Sequence, residues 1–247
     1  MVDPNIWTYL NGISASITCI MGYIVGLVAL FRYLKQKRNA LTYVIYIGFL
    51  MGTFYLDVTL SFFMVLVLRE NYITPLISGW IAFTPAIFLI GVLSRLATKT
   101  FLVQIEKLAI ALIIILVPIF LIVLYAVPIY FGDAPNLILG GFEDEISHLV
   151  KHQAEPLLLS IISFFLVLNV YFFSGGFYKL SRNLEGEQRK RCLLLSWGFL
   201  IFSIGNFIDM SLPSEFRELT TIILLPTRIA LAFSYILLYQ GFLYYKK

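Results

Sequence analysis

Apolar positions along the chain come in seven long runs separated by polar stretches. The runs cover 7–31, 40–68, 75–97, 108–131, 154–177, 191–210 and 220–244. A bilayer core about 30 Å thick is crossed by roughly 20 apolar residues of helix. The runs are too long for membrane strands and lack the period-two alternation strands require. The pattern predicts an all-α fold, a single domain over 1–247 built as a seven-transmembrane helical bundle. Trp7, Tyr9, Tyr72, Tyr244 and Tyr245 fall near run ends, where aromatic side chains anchor a helix at the interface. The first run follows Met-Val-Asp-Pro-Asn, which lacks a basic leader, so it reads as a retained helix rather than a cleaved signal.

Composition agrees with this reading. Sixty per cent of residues are hydrophobic and 13% are charged, against about 25% charged in a soluble domain. Mean hydropathy is +0.90. The placement of charge says more than its amount. Arg32, Lys35, Lys37, Arg38, Arg95, Lys99, Lys107, Lys179, Arg182, Arg189, Lys190, Arg191, Lys246 and Lys247 all fall on one side of a seven-span path. The other side holds only Arg69, Lys151 and Arg217, with most of the acids. The positive-inside rule then predicts an outside N-terminus and a cytoplasmic C-terminus. Topology and contact with anionic lipid account for the net charge of +4, so nucleic acid is not expected as a partner. Cys19 and Cys192 lie at different depths and do not read as a disulfide.

The chemistry that stands out is charge inside the runs. Asp57 lies in the second, Asp209 near the outer end of the sixth and Arg228 in the seventh. Ionisable groups at such depth normally face the bundle interior and find partners. Side chains lean toward their own helix N-terminus. In the predicted orientation Arg228 therefore leans outward and Asp209 inward, and the two converge. Asn206, three residues before Asp209, shares its face and is a second expected partner for the guanidinium. Thr227 and the carbonyls freed by Pro226 are further candidates. Asp57 lies deeper. It reads as a neutral hydrogen-bonded acid or as a sharer of Arg228, with a proton or cation role as the functional alternative. Asp57, Asn206, Asp209 and Arg228 form the expected intramembrane polar site.

A weaker pattern lies in the stretch "GFEDEISHLVKHQAEP". Asp144, His148 and His152 recur every four residues, which on a helix makes a candidate metal trio beside an apolar face of Ile146, Leu149 and Val150. The plainer reading is a solvated polar face. No histidine falls inside a run, and no Gly-rich phosphate loop or kinase signature is present. The seventh run has no lysine to carry a retinal Schiff base. These features predict no enzyme and no cofactor. The segments 37–61 and 190–213 echo each other: each starts basic, has a late glycine (Gly52, Gly205) and ends on an aspartate (Asp57, Asp209). Such an echo fits a three-plus-one-plus-three transporter arrangement.

Residues 178–211 carry a family likeness. A basic loop with "EQRKR" (Glu187–Arg191) runs into an apolar helix with Gly198, then Gly205-Asn206, then Asp209. This resembles the sixth helix of the seven-transmembrane input region that precedes many prokaryotic sensor histidine kinases. The resemblance implies a sensor or receptor-like module in a prokaryotic plasma membrane. It also implies relay to a cytoplasmic signalling partner, because no kinase or PAS segment follows in this sequence. The alternatives are a small-solute or proton-coupled transporter and a scaffold subunit of a membrane complex. The oligomeric state is not set by the sequence.

Overall fold

The computed structural model describes residues 3–101, parts of 111–125, 139–143, 149–154, 156–211 and 217–243. Its helices are α1 (Ile6–Gln36), α2 (Asn39–Phe54), α3 (Leu56–Leu68), α4 (Pro75–Phe101), α5 (Pro156–Asn169), α6 (Gly176–Ser181), α7 (Gly186–Ser211) and α8 (Arg217–Leu243). A π-helical segment, Val170–Gly175, joins α5 to α6 without a break. A hairpin of β1 (Leu139–Glu143) and β2 (Val150–Ala154) precedes α5.

Helix α1 shows why this fold belongs in lipid. Asn5 caps it, accepting from the amides of Trp7 and Thr8, while the Thr8 hydroxyl accepts from the Asn5 amide. Along one face Ile13, Ile17, Ile20, Ile24, Leu27, Phe31 and Leu34 are all exposed. The opposite face, with Asn11, Ser14, Thr18, Gly22 and Gly26, is buried. Polar and small residues thus point in, and large apolar ones point out. In water that arrangement would leave a continuous apolar stripe unpaid for by any burial; in a bilayer the acyl chains cover it. Four described helices are long and apolar enough to cross a membrane, or five if α2 and α3 count as one bent span.

The run 40–68 is not one straight helix. It breaks at Tyr55, where α2 and α3 meet at 41°. No proline marks the spot, and the nearest glycine, Gly52, lies three residues before it. Instead the Thr53 hydroxyl bonds back to the Phe49 carbonyl at 2.9 Å and the Thr59 hydroxyl to the Tyr55 carbonyl at 2.8 Å. Such back-bonding competes with the helix ladder and bends it. The matching segment 190–213 lies almost wholly in unbroken α7, so the two halves of the sequence echo differ in backbone.

The segment 139–154 also departs from expectation. Gly140, Gly141, His152 and their neighbours form an antiparallel ladder in which Gly141 pairs with His152. Adjacent glycines disfavour a helix, and the strand pairing satisfies the backbone polar groups instead. The fold is helical, as the hydropathy pattern predicts, with one short hairpin added. His152 is therefore not on a helical face. Asp144 and His148 lie outside the described residues, as do Thr221's side chain and most of run 108–131. Helix α5 begins at Pro156, where a missing N–H costs nothing.

Two neighbouring pairs, α7–α8 and α1–α2, pack through glycines that meet a leucine or another glycine. A Cβ on Gly205 would strike Leu231, and one on Gly241 would strike Leu195, so α7 and α8 interlock through leucines seated on glycines. Between α1 and α2 the contact is glycine on glycine: Gly22 and Gly26 meet Gly48 and Gly52. At the α1–α2 turn Arg38 Nη1 donates to the Leu243 carbonyl at 2.9 Å, a cation on the C-terminus of α8. Outside the helices, Asn71 donates to Ser61 and accepts from the Ile73 amide, shaping the α3–α4 turn. There the Tyr72 hydroxyl donates to Glu70, and that hydrogen bond to a carboxylate raises the phenol above its ordinary value.

Candidate functional site

Asp209 of α7 and Arg228 of α8 meet in the core. Arg228 lies two residues after Pro226 on α8 and is 3% exposed. Its Nε donates to Asp209 Oδ1 at 3.0 Å, and the two side chains are 3% and 2% exposed. The Asp209 residue as a whole is half-buried, so its exposure belongs to the backbone and not to the carboxylate. Two buried charges are tolerable only as a pair with further hydrogen bonds, and helix α1 supplies these. Arg228 Nη1 donates to Asn11 Oδ1 at 2.5 Å, to the Asn11 carbonyl at 3.2 Å and to Ser14 Oγ at 3.3 Å. Thr18 Oγ1 in turn donates to the Arg228 carbonyl at 3.2 Å. The Tyr55 ring, at the α2–α3 break, sits 5.6 Å below the guanidinium carbon. Arg228 thus ties α1, α7 and α8 together and rests on the bend of the second run.

Two expected partners are absent from this set. Asn206 is buried, but its Nδ2 donates to the Phe202 carbonyl at 2.7 Å, one turn back on its own helix. Being on Asp209's face is not enough, because a short amide reaches its own backbone first. Thr227 likewise donates to the Ile223 carbonyl at 2.8 Å. Asp57 is fully buried in the first turn of α3 and accepts from the Ser78 hydroxyl of α4. None of Arg228's hydrogen bonds among the described residues reaches Asp57. The four residues therefore form one ion pair and two separate sites.

Asn11, Ser14, Thr18 and Tyr55 are the members that the sequence reading lacks. A signal for three of them exists: Asn11, Ser14 and Thr18 stand three and four residues apart on one face of an otherwise apolar helix. Around the ion pair two buried polar atoms have no hydrogen-bond partner among the described residues, Asn11 Nδ2 and Tyr235 Oη, while the Tyr55 hydroxyl faces the Asp209 carboxylate. Among the described residues no cluster of histidine, cysteine, aspartate or glutamate could hold a metal. Cys19 and Cys192 are free thiols.

Apolar spans and a desolvated ion pair tied through backbone and amide define a multi-pass α-helical integral membrane protein. Compared with protein-family models, with curated proteins and with solved structures, the chain gives no significant match to any of them.

Proposed function

We propose that this protein is a sensor or receptor-like membrane module in which the Arg228 cluster is the element that changes state. The observation that carries this reading is the unfinished hydrogen bonding around the ion pair. An inert clamp in low dielectric is expected to satisfy every polar group it buries. Here an amide and a phenol, Asn11 Nδ2 and Tyr235 Oη, lie beside a charged pair without partners among the described residues, which gives Arg228 and Asp209 alternative contacts within reach. A two-state element of this kind can be biased by a ligand or by the state of the membrane. The cluster joins α1 to α7 and α8, and Arg38 links the α1–α2 turn to the far end of α8. A change at the cluster would therefore move the inner ends of these helices against each other, where a cytoplasmic partner could read it.

The test uses spin labels at Gln36 and Glu187, with Cys19 and Cys192 replaced by alanine, in lipid nanodiscs. Asp209→Asn, which removes the charge and keeps the shape, is expected to change the distance distribution between the labels. An unchanged distribution would sink the relay. Proton-driven uptake of a labelled solute by proteoliposomes, lost in the same variant, would replace it with the transporter reading.

The topology that supports this reading has seven spans with the N-terminus outside. To the described spans it adds the continuous helical path 156–181, about 39 Å long at 1.5 Å per residue. It also adds the helical residues within 111–125. Single cysteines at Gln36 and Glu185 are expected to react with an impermeant maleimide only from the cytoplasmic side, and one at Gly140 only from outside. Reaction of 140 and 185 from the same face would rule out this topology.

A further inference from the structure

A cleft runs between α4 and the helical path through the π segment. One cavity of about 150 Å³ is lined by Ile90, Leu93 and Thr98 on one side and by Phe165, Asn169 and Phe172 on the other. A second, of about 40 Å³, shares Ile90, Leu93, Phe165 and Asn169 with it and extends to Phe202 and Asn206 on α7. Asn169 is 7% exposed and makes no hydrogen bond among the described residues. A largely buried amide left this way carries a desolvation cost that none of the described residues returns. Of the other polar groups of the lining, Ser94 is half-buried with no side-chain hydrogen bond among the described residues and lines only the larger cavity, and two are occupied. The Thr98 hydroxyl turns back to the carbonyls of Ser94 and Arg95, and the Asn206 amide to Phe202. Asn169 is thus the available polar group at the junction of two apolar cavities.

The π segment keeps the site open. Its wider turn puts the Ser174 carbonyl where Ser196 of α7 donates to it at 2.8 Å, so the irregular backbone is held from the α7 side and not from the cleft. Apart from Ser94 the remaining lining is apolar, and none of the lining residues is charged. A charged guest would be stranded without a counter-ion in low dielectric. An apolar cavity of roughly 150 Å³ holds a benzene-sized guest, which corresponds to a ring or a chain of about six carbons.

We propose that this cleft binds a neutral, membrane-soluble molecule through one hydroxyl or carbonyl group, which takes its hydrogen bond from or to Asn169. The inference goes beyond the relay reading, because binding is tested here without any readout of signalling.

The probe is a diazirine-bearing octanol, photolysed with the full chain in phosphatidylcholine nanodiscs, with adducts located by mass spectrometry. Adducts are expected within 90–98 or 165–173. Hexanol is expected to compete about fivefold better than hexane at equal membrane concentration, which is the worth of one net hydrogen bond. Asn169→Leu should erase that preference while labelling persists, and Leu93→Trp should fill the cavity and remove the label. Equal competition by hexanol and hexane in the unaltered protein would reduce the cleft to an ordinary acyl-chain crevice and overturn the proposal. So would adducts confined to other segments. Both of these outcomes are read on the unaltered chain, so neither depends on a variant folding. Competition by diacylglycerol as well as hexanol would assign the polar group to a lipid, and competition by hexanol alone to a free small molecule. Either result supports the assignment.

Discussion

Replacing Asp209 with leucine is expected to lower the thermal midpoint in detergent more than replacing Arg228 with leucine, and both more than replacing the two together. Breaking a buried pair from one side typically costs about 3–5 kcal/mol, because the other charge is left without a counter-ion. Single hydrogen bonds in membrane proteins often measure less than 1 kcal/mol, but this contact is an ion pair and not one neutral bond. The order of the two single variants follows from chemistry. A stranded carboxylate can take up a proton and become neutral; a stranded guanidinium cannot release one. Loss of Asp209 therefore leaves a permanent charge, eased by Asn11, Ser14 and the Tyr55 ring but without a counter-ion among the described residues. The double variant strands neither charge. Single effects that simply add would show that the two residues are not coupled, and the cluster would lose its role as a joint between helices.

Much of this arrangement is legible along the chain. Run length marks the long helices α1, α4, α7 and α8, because lipid demands about 20 apolar residues whatever the function. The approach of Arg228 and Asp209 follows from their depth and from the lean of side chains toward helix N-termini. Other features leave little trace in hydropathy. The break at Tyr55 arises from threonine hydroxyls bonding to their own backbone, and threonine is common in unbroken membrane helices too. The hairpin at 139–154 is masked by a four-residue histidine spacing, although Gly140 and Gly141 weigh against a helix there. Asn206 shows the limit of face arguments: it lies on the right side of α7 yet spends its amide on its own helix.

The glycines of α1 and α2 lead to the second large effect. Gly22-Tyr-Ile-Val-Gly26 and Gly48-Phe-Leu-Met-Gly52 are two G-x-x-x-G segments on successive helices, a spacing that puts both glycines of each on one face. In the structure they face each other. A Cβ on Gly48 would sit 2.7 Å from the Gly26 nitrogen and 2.8 Å from the Gly22 carbonyl oxygen. One on Gly22 would sit 2.7 Å from the Gly52 nitrogen and 2.8 Å from the Gly48 carbonyl oxygen. These neighbours are backbone atoms, so no side chain can turn aside and the helices themselves must separate. Alanine at either position gains about 1 kcal/mol of helix propensity. Overpacking costs about 1–3 kcal/mol, and here it acts on α1, which also carries Asn11 and Ser14 to Arg228. The cost should win. Gly22→Ala and Gly48→Ala are each expected to lower the thermal midpoint by several degrees, since about 1 kcal/mol corresponds to roughly 2–4 °C in a chain of this size. Gly26→Ala is the control: its added Cβ would lie 3.3 Å from the ring of Phe49 as well as from its amide nitrogen, so part of the strain can relax and the loss should be smaller. If all three variants behave alike, close backbone approach is not what holds α1 to α2, and the support of Arg228 from α1 must come from elsewhere in the helix.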